Sequence, residues 1–158
     1  MSLLPQSATA DTFQPASPGY AERVRSSFAR QQAMTLVGAE LVAVEPGYCA
    51  ITLVPRPEVT QQHGYVHAGV VATIVDSAGG YAGFTLFPTD ASVLTVEYKI
   101  NLLAPAEGDR LVAEGFVVKP GRTLVITRGE VHAERAGTRT LVALMQQTLM
   151  VMHGKADA

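Results

Sequence analysis

The chain has 158 residues, of which 47% are hydrophobic and 16% are charged, so it suits one folded domain and is too apolar for a disordered protein. Its net charge of -2 supplies no basic surface for nucleic acid or an anionic membrane, and its single cysteine, Cys49, excludes an internal disulfide framework and a multi-cysteine zinc site. The cysteine content favours a reducing compartment, with the cytoplasm as the expected location. The low charge indicates that a partner covers part of the surface.

Residues 1–18 contain no Lys or Arg and carry three prolines among Ser, Thr and Gln. We therefore predict a mobile N-terminal tail without a secretory signal. Because the composition changes at Gly19, we expect a single domain over residues 19–153 and a short tail over residues 154–158.

The first part of the domain predicts one helix, one hairpin and one loop. Tyr20, Val24 and Phe28 recur at four-residue spacing, which indicates an amphipathic helix that ends near Gln32. Two runs of β-forming residues flank a Pro-Gly turn and predict an antiparallel hairpin, and a polar stretch after them predicts a loop. These segments are residues 37–43, 48–54 and 56–66.

The segment from His67 to Phe87 contains Asp76 as its only charged side chain and is rich in Ala and Gly. Such residues suit close packing on every side, so we predict a wholly buried helix. The length approaches that of a membrane span, but the central Asp76 and four glycines argue against that alternative.

Four extended runs follow Pro88, and the connections between them are too short for parallel crossovers. We therefore predict an antiparallel meander. Strands of about ten residues allow a twisted sheet to curl around one helix. The predicted class is α+β with the hot-dog fold, in which a curved antiparallel sheet of five to six strands wraps around a long central helix. The runs are residues 92–101, 110–119, 123–134 and 139–152.

Two features of the long helix suggest chemistry. A carboxylate in an apolar helix is poorly solvated, which raises its pKa and makes it a better base, so Asp76 is the leading catalytic candidate. The alternative is a buried Asp that hydrogen-bonds a neighbouring loop. The free N–H groups near Ala68 and Gly69, reinforced by the helix dipole, can donate to a carbonyl oxygen and to the oxyanion formed from it. The alternative there is an ordinary solvated helix end.

Several motifs occur in a fixed order along residues 38–152. They are His67-Ala68-Gly69 followed by Asp76, residues 95–98 and 103–109, Pro120-Gly121-Arg122, and the final strand from Leu141 to Thr148. This order resembles the hot-dog acyl-CoA thioesterases, specifically the PaaI-like members of the thioesterase superfamily. In that family the helix opens His-Gly-Gly, so Ala68 is a departure, although it keeps the backbone N–H.

The resemblance implies roles for further residues. Gln61 lies where relatives carry an Asn or Gln that holds the thioester carbonyl, and Thr95 lies where they place a Ser or Thr that orients the attacking water. The alternatives are a loop amide and a sheet-face Thr. Gly69 is expected to contact substrate beside Ala68. His67 either braces the start of the helix or is a satisfied histidine with no chemical step.

The spacing of Ala68 and Asp76 indicates that one chain cannot complete this site. Eight residues of helix separate them by about 12 Å, which is too far for both to touch one carbonyl carbon. Two helices that run antiparallel across a dimer would bring Asp76 of one chain beside Ala68 of the other. The resemblance implies the same homodimer, and also a homotetramer formed by a dimer of dimers.

Coenzyme A would be part of the substrate, and we expect no separate cofactor and no metal. Lys119 and Arg122 are candidates for contacting its phosphates, and the alternative is a pair of solvated turn residues. Tyr81 either lines an apolar acyl pocket or belongs to the core. His63 and His67 lack the helical face and the third ligand that a metal pair requires.

The resemblance therefore implies an acyl-CoA thioesterase that hydrolyses an acyl- or aryl-CoA thioester to the free acid and CoA. Asp76 either activates a water molecule or attacks the thioester directly. Two other functions are compatible with the scaffold: a non-catalytic acyl-CoA binding module and a hot-dog hydratase or dehydratase.

Overall fold

The computed structural model describes residues 13–155 and 157, and this part of the chain contains three α-helices, a short 3-10 helix and six β-strands. The helices are α1 (Tyr20–Arg30), α2 (Gln32–Val37) and α3 (Ala68–Phe84), and the 3-10 helix is Pro57–Val59. The strands are β1 (Ala39–Glu45), β2 (Tyr48–Leu53), β3 (Ser92–Leu102), β4 (Arg110–Lys119), β5 (Leu124–Arg135) and β6 (Thr138–Met152).

The six strands form one antiparallel sheet in the order β1-β2-β4-β5-β6-β3, and α3 packs against it. The predicted hot-dog architecture is confirmed. The predicted meander is wrong for β3, which pairs with β6 at the far edge, while β2 takes the place beside β4. The seven residues 103–109 can span about 23 Å, whereas three strand spacings are about 14 Å, so a short connection does not require adjacent strands.

The helix α3 is held against the sheet by small residues. A Cβ on Gly115 of β4 would lie 2.3 Å from the carbonyl carbon of Ala78, so only glycine allows the two backbones to approach this closely. Ile51, Ile74 and Leu111 contribute to one apolar cluster, and Phe84 and Leu149 to another. These clusters fix the long helix over the middle of the sheet.

The prediction of a wholly buried helix is wrong for its first turns. Ala68 and Gly69 are exposed and Asp76 is half-buried, while the residues from Ser77 to Phe84 are buried. The N-terminal end of α3 therefore lies at the surface, where a ligand can reach it. The helix also ends at Phe84 rather than Phe87.

Arg23 of α1 binds the C-terminal end of α3 and the turn that follows it. Its guanidinium donates to the carbonyl oxygens of Phe84, Phe87 and Pro88 at 3.1, 2.7 and 2.7 Å. Phe84 is the last residue of α3, and the other two residues lie in the turn after it, so these bonds tie α1 to this end of the helix.

Within the part of the chain that the structure describes, no helix is long and apolar enough to cross a membrane.

The predicted hairpin before α3 is confirmed. The single helix predicted to end near Gln32 is instead two helices, α1 and α2, and the predicted loop contains the 3-10 helix Pro57–Val59. Val37, predicted to begin a strand, ends α2, because Gly38 adopts a left-handed conformation at φ 74° that terminates the helix. The domain limits themselves remain a prediction. Residues 1–12, 156 and 158 of the expected tails lie outside the described residues, whereas Phe13 packs against an apolar cluster and Asp157 pairs with Arg30 at 2.8 Å.

Candidate active site

The carboxylate of Asp76 lies between α3 and the two strands at one edge of the sheet. Thr95 of β3 donates its hydroxyl to Asp76 Oδ1 at 2.9 Å, and Gln147 of β6 donates from Nε2 to the same oxygen at 2.5 Å. No side chain among the described residues donates to Oδ2. The structure thus brings the predicted pair Asp76 and Thr95 together and leaves one carboxylate oxygen for a ligand or water.

Burial raises the pKa of Asp76 above the usual range of an aspartate, because the charged form loses solvation. The hydrogen bonds from Thr95 and Gln147 act in the opposite direction and have the smaller effect. A carboxylate with a raised pKa accepts a proton from water more readily. This is the property that the sequence predicts for a residue in this helix.

Gln147 is the member of this cluster that the sequence analysis missed. Its side chain is only 1% exposed and points to the helix side of β6, between the buried residues Met145 and Leu149. A buried amide requires hydrogen-bond partners. A single polar residue on the apolar face of a strand therefore indicates that polar groups of other elements lie opposite it. The last strand carries apolar residues on both faces, and these make the exception hard to recognise in the sequence.

A cavity of about 480 Å³ opens beside Asp76 and Thr95. Tyr81 lies in its wall, with its hydroxyl oxygen 3.2 Å from that of Ser27. Burial raises the pKa of Tyr81, so its hydroxyl remains protonated near neutral pH. The wall is mainly polar, and its other members are Arg30, Gln31, Ser77, Gly80, Val93, Leu94 and Asp157.

The N-terminal end of α3 borders a second cavity, of about 360 Å³. Gln61, His67 and Ala68 lie in its wall together with apolar residues from β3, β6 and the loops. Gln61 accepts a hydrogen bond from the backbone N–H of His63 through Oε1, which fixes its amide within the loop. Three of the predicted site residues are therefore neighbours here, separate from Asp76.

His67 is the N-cap residue of α3. Its Nδ1 accepts a hydrogen bond from the backbone N–H of Gly69 at 2.9 Å, so the proton of the neutral ring lies on Nε2. The N–H of Gly69 is thereby occupied and is not a free donor, contrary to the expectation for that group. The N–H of Ala68 has no hydrogen-bond partner among the described residues and is the donor left for a ligand.

The two cavities share no lining residue. One chain therefore presents an acid-bearing cavity and a donor-bearing cavity at separate places along α3. This agrees with the separation of about 12 Å that eight helical residues impose.

The remaining candidates lie elsewhere. Lys119 and Arg122 are exposed beside the turn between β4 and β5, and neither lines either cavity. Cys49 is fully buried, and burial raises the pKa of its thiol. Among residues 13–155 and 157, no group of three or more His, Cys, Asp or Glu side chains is placed to hold a metal ion.

Solved structures share this architecture. A thioesterase family protein from Silicibacter pomeroyi is 47% identical and superimposes with a TM-score of 0.85, covering 86% of this chain and 100% of that one. The PaaI protein from the phenylacetic acid degradation operon of E. coli is 18% identical, with a TM-score of 0.78 over 89% of this chain and 98% of that one. The second likeness shows the shared fold.

Sequence relatives agree. A protein from Saccharolobus solfataricus, provisionally named an esterase, is 33% identical over 97 residues, which is 61% of this chain and 64% of the relative's length. A 1,4-dihydroxy-2-naphthoyl-CoA hydrolase from Listeria monocytogenes is 24% identical over 73% of this chain and 91% of its own length. The family described as the Thioesterase superfamily matches residues 63–139, which include Ala68, Asp76 and Thr95. Together with the 47% identical thioesterase family protein, which this chain covers over its full length, this match shows that the chain belongs to the thioesterase superfamily.

Proposed function

We propose that this protein is an acyl-CoA thioesterase that hydrolyses an acyl- or aryl-CoA thioester to the free acid and CoA. The observation that carries the proposal is the half-buried Asp76 carboxylate, hydrogen-bonded to Thr95 at the mouth of a cavity in a member of the thioesterase superfamily. The CoA thioester hydrolase among the relatives supports this substrate class.

The chemistry requires a base, a nucleophile and a donor for the carbonyl oxygen. Asp76 takes a proton from a water molecule that Thr95 orients, and the water oxygen bonds to the acyl carbon. The N–H of Ala68 and the amide of Gln61 donate to the oxygen that becomes negative. The carbon–sulfur bond then breaks, and the proton held by Asp76 passes to the departing sulfur. Direct attack by Asp76 through an anhydride uses the same groups.

The separation of the two cavities supports a site built from two chains. Asp76 and Thr95 would come from one protomer, and Ala68 and Gln61 from its partner. β3 supplies a surface for this contact, since it is an edge strand on which Leu94, Val96 and Leu102 are each 53% exposed. Exposed apolar edge strands are usually covered in native proteins. We therefore propose a homodimer joined along β3, with two dimers forming a tetramer.

Coenzyme A would be bound through its phosphates. Lys119 and Arg122 remain the candidates, because both are exposed cations. His153 lies close to this turn, with Nε2 2.8 Å from the carbonyl oxygen of Arg122. Loss of either cation is expected to raise KM more than it lowers kcat.

The test is thiol release from a panel of short, medium and long acyl-CoAs plus phenylacetyl-CoA and hydroxybenzoyl-CoA, measured with a thiol-reactive dye. The wild-type protein should release CoA, and Asp76→Asn should lower kcat by about 100-fold or more, because Asn cannot accept the proton. Asp90→Asn, at an exposed aspartate in the turn before β3, is the matched control.

Near-normal turnover of Asp76→Asn would refute the role of Asp76. Saturable binding of acyl-CoA to the folded wild-type protein without release from any panel member would replace the proposal with a non-catalytic binding module.

A further inference from the structure

The side chain of Gln147 makes four hydrogen bonds beside the site, and the mechanism above does not use it. Its Nε2 lies 2.5 Å from Asp76 Oδ1, 3.1 Å from the backbone carbonyl oxygen of Asp76 and 3.1 Å from Thr95 Oγ1. The two hydrogens of this amide nitrogen are thus shared among three acceptor oxygens, two on Asp76 and one on Thr95.

The orientation of this amide is determined by a second residue. Thr127 of β5 donates its hydroxyl to Gln147 Oε1 at 2.8 Å, and both side chains are buried. Since Oε1 is engaged by a donor, the NH2 group must point toward Asp76, where an ionised carboxylate can only accept. Thr127, Gln147, Asp76 and Thr95 consequently form one hydrogen-bonded chain from β5 to β3.

The helix leaves space for this arrangement. A Cβ on Gly79 would lie 2.2 Å from Gln147 Oε1 and 3.0 Å from Thr127 Oγ1. Gly79 lies three residues after Asp76, so the missing side chain opens room for the amide on the same helical face. A side chain at position 79 would displace the group that contacts Asp76.

We propose that Gln147 is a positioning residue that holds the Asp76 carboxylate and the Thr95 hydroxyl in one fixed arrangement. This inference rests on the proposed thioesterase function. By donating to Oδ1 and to Thr95 Oγ1, the amide directs the Thr95 proton toward Asp76 and leaves Oδ2 to accept a proton from water. Its donation also favours the ionised form of Asp76, opposing the effect of burial.

The test compares Gln147→Met with Gln146→Met. Met has a similar length and lacks the donor, and Gln146 is the exposed neighbour on the opposite face of β6. In Gln147→Met, kcat/KM at neutral pH should fall about 10- to 100-fold, the value expected for loss of a hydrogen bond to a charged group. The low-pH limb of the kcat/KM profile should move to higher pH by about one unit, because Asp76 then ionises less readily. Gln146→Met should match the wild-type protein in both respects.

A second readout needs no substrate. The pKa of the Asp76 carboxyl, measured by NMR on protein labelled with 13C at aspartate, should be higher in Gln147→Met than in the wild-type protein and unchanged in Gln146→Met. If the wild-type protein releases no thiol, the proposed function fails while this titration still decides the role of Gln147. An unchanged Asp76 pKa together with an unchanged pH profile would overturn the inference.

Thr127→Val keeps the test decisive if Gln147→Met does not fold, as judged by circular dichroism. Val preserves the shape of the side chain but removes the hydroxyl that donates to Oε1. The Asp76 pKa and the low-pH limb should move in the same direction by a smaller amount. No movement in Thr127→Val would show that the amide is held without Thr127 and would contradict the hydrogen-bonded chain.

Discussion

At the scale of single residues, the surroundings of Asp76 balance two opposing effects. Burial in α3 raises its pKa, while donors from β3 and β6 lower it. Burial alone would keep the carboxyl protonated over a wider pH range and thereby weaken a base that must be ionised to act. The hydrogen bonds from Thr95 and Gln147 lower the pKa and so keep more of the Asp76 carboxyl ionised. A group with a moderately raised pKa is suited to accept a proton near neutral pH.

Ala68 permits a test that removes one hydrogen-bond donor and little else. It is the first residue of α3, a position at which proline is favoured, and the preceding His67 has the extended conformation (φ -59°, ψ 137°) that proline requires before it. Ala68→Pro should therefore keep the fold while removing the N–H, and kcat should fall about 100- to 1,000-fold. Steady-state kinetics measure kcat, and thermal unfolding measures whether the fold is kept.

Ala68→Gly keeps the N–H and should lose far less activity than Ala68→Pro. Equal activity in the two variants would show that the backbone N–H of residue 68 does not contact the reacting oxygen.

At the scale of elements, the position of α3 depends on contacts at both of its ends. The backbone of β4 approaches the middle of α3 at Gly115, His67 caps the first turn of the helix, and Arg23 donates to the carbonyl oxygen of its last residue, Phe84. Because Asp76 lies between these fixed ends, the packing of the helix determines where the carboxylate meets β3 and β6.

Arg23→Met tests the contact between α1 and the end of α3. The substitution keeps the apolar part of the side chain but removes the three hydrogen bonds that Arg23 donates to the carbonyl oxygens of Phe84, Phe87 and Pro88. The free energy of unfolding should fall by about 2 kcal/mol, as measured by urea denaturation. Arg25→Met, at an exposed position on the same helix, should change it by less than about 0.5 kcal/mol. Similar losses in both variants would mean that the bonds made by Arg23 add nothing to stability.

At the scale of the whole molecule, the two separate cavities are the basis for the proposed site built from two chains. Asp76 and Ala68 lie too far apart to act on one carbonyl, and β3 offers an exposed apolar edge for a second copy. An assembly with two-fold symmetry would complete both sites at once.

Mixing two inactive variants tests this assembly. Ala68→Pro and Asp76→Asn protomers, unfolded and refolded together, should form mixed dimers in which one site carries both substitutions and the other carries neither. The mixture should recover about a quarter of the wild-type activity, because half of the dimers are mixed and each has one intact site. Recovery of no activity, with mixed dimers confirmed by native mass spectrometry, would place both groups of one site in the same chain.

The sequence by itself determined the class of fold and singled out Asp76 as the candidate base. The periodicity of strands and helices identified the principal elements. Asp76 could be recognised because a single charged residue among apolar neighbours stands out in the sequence without knowledge of the fold. The motif around His67 and Ala68 located the start of the helix in the same way.

Only the tertiary structure decided which distant residues meet. The pairing of β3 with β6 is a long-range contact that residues 103–109 are long enough to permit, and local patterns do not specify it. That pairing brings Gln147 to Asp76 and Thr95, although 71 residues separate Gln147 from Asp76 in the chain. The capping of Gly69 by His67 likewise depends on side-chain geometry, which leaves Ala68 with the free N–H. The periodicity of a sequence indicates which face of a helix or strand is buried. Contacts between elements depend on strand order and packing, and these are determined only when the whole chain folds.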